Sequence, residues 1–188
     1  MPDEISGSMR PMKPLVALLL STFFTLAALP VNAANSTAVE LQFKPRTPNQ
    51  MSAFYEARGF PEEMIKPLHA QCMITVRVTN TGKQITWLDL SNWRFTANGK
   101  PLKRYHRNFW LEKWKNMGMQ AAHRSTFRWT LIPEFLDYQP GESEGGNIIL
   151  PRVKGPIQLH AEFATGPDQK GPPVVLEYNT LKCIEDEP

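Results

Sequence analysis

The stretch Cys72-Met73-Ile74-Thr75-Val76-Arg77-Val78-Thr79-Asn80-Thr81-Gly82-Lys83 decides the fold class. Its period is two: Cys72, Ile74, Val76 and Val78 fall on one face, and Met73, Thr75, Arg77 and Thr79 on the other. Strict alternation over eight residues, rich in β-branched side chains, predicts a strand with one face buried. Asn80-Thr81-Gly82-Lys83 then supplies turn chemistry and ends it.

The same pattern continues downstream. Ile85 to Leu90 begins another strand, and Trp93-Arg94-Phe95-Thr96 runs into Asn98-Gly99, the strongest short hairpin signal. Phe127 to Ile132 reads as a further strand. Gln139-Pro140-Gly141-Glu142 and Gly145-Gly146 bracket a turn region before the extended Asn147 to Leu150. Ile157, Leu159, Ala161 and Phe163 alternate clearly, and a Gly/Pro-rich loop from Gly166 to Pro173 leads to a last strand, Val174 to Tyr178. Seven or eight short strands with turns between them predict an antiparallel β-sandwich. The one long irregular segment expected is roughly Lys100 to Arg124.

Upstream, Val39-Glu40-Leu41-Gln42-Phe43 alternates as a first strand. Thr47-Pro48-Asn49-Gln50 announces a helix: Thr47 caps the free amides, Pro48 suits the first helical position, and Gln50 completes a capping box. That helix should run through Met51, Phe54, Tyr55 and Arg58 and stop at Gly59. Pro61-Glu62-Glu63 starts a second, ending near Leu68 or His69. The fold class expected is therefore mostly β, an immunoglobulin-like sandwich with a short N-terminal helical pair.

The first thirty-odd residues have another character. Met9-Arg10-Pro11-Met12-Lys13 is a cationic n-region, Leu15 to Leu29 is apolar, and Val31 and Ala33 sit where a signal peptidase reads small residues. The apolar run is shorter than the roughly 20 residues a membrane span needs. Cleavage is predicted before Ala34, and the acidic Asp3 and Glu4 ahead of the n-region point to translation starting at Met9. The chain thus divides into a signal peptide at 1–33, the first strand and helical pair at 34–71, and the β-sandwich at 72–183, the last two forming one domain. No integral membrane segment is expected after cleavage, and the destination is the periplasm or the medium. Cys72 and Cys183, the two cysteines, are expected to form a disulfide there.

The run Ile74 to Lys83, together with Tyr138-Gln139-Pro140-Gly141-Glu142, resembles bacterial exported proteins with an immunoglobulin-like β-sandwich. In those a strand ends in an Asn-x-Gly turn, and a Pro-Gly-Glu turn precedes a strand near the end of the fold. The resemblance covers about residues 72–180. It implies a fold and no activity, because such sandwiches host many functions.

A net charge of +3 is too mild for a nucleic-acid binder, whose basic residues concentrate on one face. The candidate binding surface is Lys103 to Lys115. From Lys100 onward, six basic residues face one Glu, with four aromatics interleaved. Aromatic rings receive cations or sugars, and guanidinium forks grip phosphate or carboxylate. Arg104, Tyr105, Arg107, Phe109, Trp110 and Trp114 would then meet an envelope protein or an anionic envelope polymer, and the helical pair at 48–68 offers a second surface. Alternatively, the aromatics pack as one turn of an amphipathic helix covering a sheet edge.

Met117-Gly118-Met119 with His123 is a minimal soft-ligand set for Cu(I), against which stands the use of methionine as a core gap filler. Otherwise no cofactor is expected. There is no Gly-x-Ser-x-Gly elbow, no His-Glu-x-x-His and no phosphate loop. Glu134 and Asp137 are too generic a pair to nominate as acid and base. The expectation is an exported binding or accessory module and not an enzyme, with a copper protein or a hydrolase hidden from motif reading as alternatives.

Overall fold

The computed structural model of the chain describes residues 38–187. The expected signal peptide lies outside the described residues. Fourteen elements follow in order: β1 (Val39–Arg46), α1 (Pro48–Glu56), α2 (Glu62–His69), β2 (Gln71–Asn80), β3 (Thr86–Asp89), a short 3-10 turn (Leu90–Asn92), β4 (Arg94–Ala97), β5 (Lys100–Leu102), α3 (Arg107–Asn116), α4 (Ala121–Thr130), β6 (Phe135–Tyr138), β7 (Ser143–Pro151), β8 (Ile157–Thr165) and β9 (Gly171–Leu181).

The chain is mostly β, with two antiparallel sheets. One has the order β1-β2-β7. In the other, β9 pairs along β8, while β3 and β4 pair with successive halves of β8, so those two must share its remaining edge. The 3-10 turn separates them, β6 extends β3, and β5 extends β4. The sheets bury their facing sides in one cluster: Ile74, Val76, Val78, Ile148 and Leu150 meet Leu88, Phe95, Leu159, Ala161 and Phe163. The Cys72–Cys183 disulfide joins β2 to the chain just after β9, with Cα atoms 5.3 Å apart.

The capping reading of α1 holds in detail. Gln50 N–H donates to the Thr47 hydroxyl, and the Gln50 side chain accepts from the Thr47 amide. Gly59 ends this segment at φ 71°, in the left-handed region glycine tolerates. The hairpin at Asn98-Gly99 has φ of 52° and 72°, positive at both central positions as a type I′ turn demands.

Four expectations change. The helical pair is not at the N-terminus, because β1 precedes it. The segment 100–124 is not irregular; it folds into β5, α3 and the start of α4. Phe127 to Ile132 is not a strand, for α4 runs to Thr130. There are nine strands among the described residues, β5 and β6 having escaped the reading.

The α4 error has a physical cause. Phe127, Trp129 and Leu131 alternate in a β-prone sequence, yet Phe127 is buried while Trp129 is 79% exposed. Phe127 packs within 5.6 Å of the Tyr55 and Trp114 rings, and that apolar contact outweighs a weak local β preference.

All four helices lie on the outer face of the β1-β2-β7 sheet. There Met73 and Ile149 join Met51, Tyr55, Met64, Leu68, Trp110, Trp114 and Phe127 in a second core. Strand β2 is therefore buried on both faces at its start, where alternation alone predicted a solvated outer face. Farther along, Thr75, Arg77 and Thr79 leave that face open.

Candidate functional site

The segment expected to bind divides in two. His106 caps α3, its Nδ1 accepting the Asn108 amide. From there the helical period turns Trp110 and Trp114 inward, their rings 5.4 Å apart. Both are buried, so neither belongs to a surface. Phe109 is half-exposed and stacks on Tyr105 at 4.8 Å. Arg104 and Arg107 are engaged internally. Arg104 grips Glu134 with both terminal nitrogens, at 3.0 and 2.5 Å, and Arg107 Nη2 donates to the Leu131 carbonyl.

Glu134 organises this corner. Its carboxylate also accepts the Arg107 backbone N–H at 2.7 Å, at the first turn of α3 where the helix dipole favours negative charge. Burial alone would raise its pKa, but the Arg104 hydrogen bonds and the Arg107 amide outweigh that and hold it below the usual carboxylate range. Read locally, Glu134 is only half of a generic pair with Asp137, because its real partners lie about 30 positions away.

Met117 closes α3 and is exposed, whereas Met119 packs against the helical core. His123 sits on α4 with its ring 5.5 Å from Phe60.

A different surface emerges where the helical layer stops halfway across the outer sheet face. A groove of about 490 Å3 opens there. Its floor is Thr75 and Arg77 from β2 with Gly145, Gly146 and Asn147 from β7. Its walls are Phe54 of α1, Arg58 just past the end of α1, Trp129 of α4, and Arg46 at the end of β1. Pairing fixes this set: Gly145 lies opposite Arg77, and Asn147 opposite Thr75. Gly146 is required by the backbone, since a Cβ there would sit 2.3 Å from the Ile132 amide nitrogen.

The polar floor is tied together. Arg46 Nε donates to the Thr75 hydroxyl at 3.0 Å, which donates to Asn147 Oδ1 at 2.8 Å. Behind it, Tyr55 and Thr130 share a hydrogen bond, and burial pushes the Tyr55 phenol up to about 12. The Arg58 guanidinium lies 3.6 Å over the Phe54 ring and donates to the Phe54 carbonyl. Arg77 reaches the Ser143 hydroxyl at 3.4 Å.

Among the described residues, no carboxylate lines this groove, and none of its three arginines forms a salt bridge. On β1, Gln42 lies opposite Arg77 and Glu40 opposite Thr79, so Glu40 is diagonal to Arg77, and its carboxylate accepts from the Gln42 side chain. Three guanidinium groups that form no salt bridge among the described residues, beside an exposed indole, have the chemistry to receive an anion with a flat face.

No protein-family model, no curated protein and no solved structure matches this chain. The groove's chemistry therefore carries the functional argument. Sequence reading missed it because its arginines are scattered over 32 positions of chain and share no motif.

Proposed function

We propose that the protein is an exported accessory module that acts by binding an anionic partner of the cell envelope, polymer or protein, in the groove beside Trp129. One observation carries the reading: Arg46, Arg58 and Arg77 converge there without a carboxylate to neutralise them. Desolvated opposite charges that go unpaired are costly, whereas solvated cations around a concavity attract and orient an anion.

Export rests on the cationic and apolar segments of residues 9–33. The Cys72–Cys183 bond is compatible with an oxidising compartment. We read the two sheets as immunoglobulin-like because their strand orders match that plan. The set β1-β2-β7 corresponds to strands A, B and E, and β3/β4-β8-β9 to C, F and G. On this reading α1–α2 and α3–α4 are two insertions, and together they wall the groove.

Retention on an immobilised polyanion tests the assignment. The Arg58→Gln/Arg77→Gln double variant should lose at least about tenfold in affinity, equivalent to 1.4 kcal/mol. A control, Lys100→Gln/Lys103→Gln, removes the same charge elsewhere and should change little. Equal losses in the two variants would mean that diffuse charge, and not the groove, does the binding.

A further inference from the structure

Resting on that reading, we infer that the occupant of the groove is an anionic saccharide, its charge carried by carboxylate or phosphate. Three features of the groove favour a sugar over an acidic peptide.

The groove floor offers an extended peptide little backbone to pair with. The floor strand β2 is hydrogen-bonded on both sides, to β1 and to β7. The outer edge of β7 is also engaged: the Ile132 N–H donates to the Asn147 carbonyl, and the Tyr105 N–H to the Ile149 carbonyl. Peptide recognition by added strands draws its affinity from main-chain hydrogen bonds, and β2 and residues 147 and 149 of β7 already spend theirs within the fold.

Side chains must then do the recognising, and their types suit a ring bearing hydroxyls. Trp129 is 79% exposed on the wall, a large rigid plate whose apolar face is otherwise left to water. Such a plate covers the C–H face of a pyranose, and its electron-rich ring attracts the polarised C–H groups. The floor supplies short donors and acceptors, Thr75 and Asn147, already held in place by the chain from Arg46.

The charges are fixed where a substituent on a ring would need them. Arg58 is held by the Phe54 ring and carbonyl, so less rotamer freedom is lost when it grips an anion. Arg77 stands beside Gly145, whose missing side chain leaves the floor low enough for a ring to rest against the sheet. A volume of about 490 Å3 lies within the range of small-ligand sites, roughly 300–1,000 Å3.

Calorimetric titration of the purified protein decides the matter. The probes are hexagalacturonate, a phosphorylated mannose oligosaccharide, hexaglutamate and neutral cellohexaose. The inference predicts that one or both anionic sugars bind at least about tenfold tighter than hexaglutamate, and that cellohexaose binds far more weakly. The two sugars tell a carboxylate source of charge from a phosphate one. Trp129→Ala should weaken the sugar about tenfold while leaving hexaglutamate unchanged. Trp129 is exposed, so the fold should survive this substitution, and an unchanged thermal midpoint checks that. Hexaglutamate binding as tightly as either sugar, or sugar binding indifferent to Trp129→Ala, overturns the inference while the anion groove stands. Failure of every anion to bind overturns the groove itself.

Discussion

At the scale of single residues, Glu134 and Asn80 hold parts of the chain that are distant in sequence. Glu134 fixes Arg104 and the first amide of α3, and is about one-fifth exposed. Replacing it with Gln removes the charge but keeps the shape, and should cost about 2 kcal/mol at neutral pH by urea titration. The cost depends on pH in a defined direction. The folded-state pKa lies below the ordinary 4.5, so the charged carboxylate stabilises the fold above that value. Its contribution should fade as pH falls below about 4.5, and wild type and variant should converge once pH has fallen through the lowered folded-state value. Asn80 is buried, and its amide donates to the Gln84 and Tyr138 carbonyls while accepting from Gly82. Its backbone also exchanges bonds with Glu142 and Gly141. The Asn-x-Gly and Pro-Gly-Glu turns, visible separately in the sequence, are thus docked against each other. Asn80→Ala would strip a hydrogen bond from the Gln84 and Tyr138 carbonyls and leave the Gly82 amide with only the Ala38 carbonyl, and should destabilise by about 2–3 kcal/mol.

At the scale of elements, local chemistry was legible and packing partners were not. The α1 capping box, the Asn98-Gly99 hairpin and the alternation of β2 and β8 are all encoded within a few adjacent residues. Strands β5 and β6 are three and four residues long, too short to show a period. Helix α4 is the instructive error, since Phe127 finds its place only among rings of α1 and α3. The candidate site follows the same rule. Trp110 and Trp114, conspicuous in sequence, are core; Arg46, Arg58 and Arg77, inconspicuous, converge because a strand end, a helix end and a strand middle meet. Two substitutions in α4 separate these roles. Phe127→Ala should cost about 3–5 kcal/mol through the cavity it leaves. Trp129→Ala, two residues on, should stay within about 0.5 kcal/mol of wild type in urea.

At the scale of the whole molecule, a two-sheet sandwich carries a helical layer over half of one outer face. The second core explains why that sheet is apolar on both sides near Met73 and Ile149, and the layer's edge creates the groove. The disulfide links β2 to the chain after β9, closing a loop of 111 residues. Chain-entropy reasoning gives such a closure up to about 4–5 kcal/mol, so a Cys72→Ser/Cys183→Ser variant should melt well below the oxidised protein while keeping its β-rich circular dichroism. We propose that the partner binds in the groove and not at the Lys103 to Lys115 segment. It is tested most directly by following amide and indole resonances as hexagalacturonate is added. Saturating shifts are expected at Thr75, Arg77, Gly145, Gly146 and the Trp129 indole, with Arg104 to Lys115 unmoved. Shifts centred on Tyr105 and Phe109, with the groove silent, would contradict it.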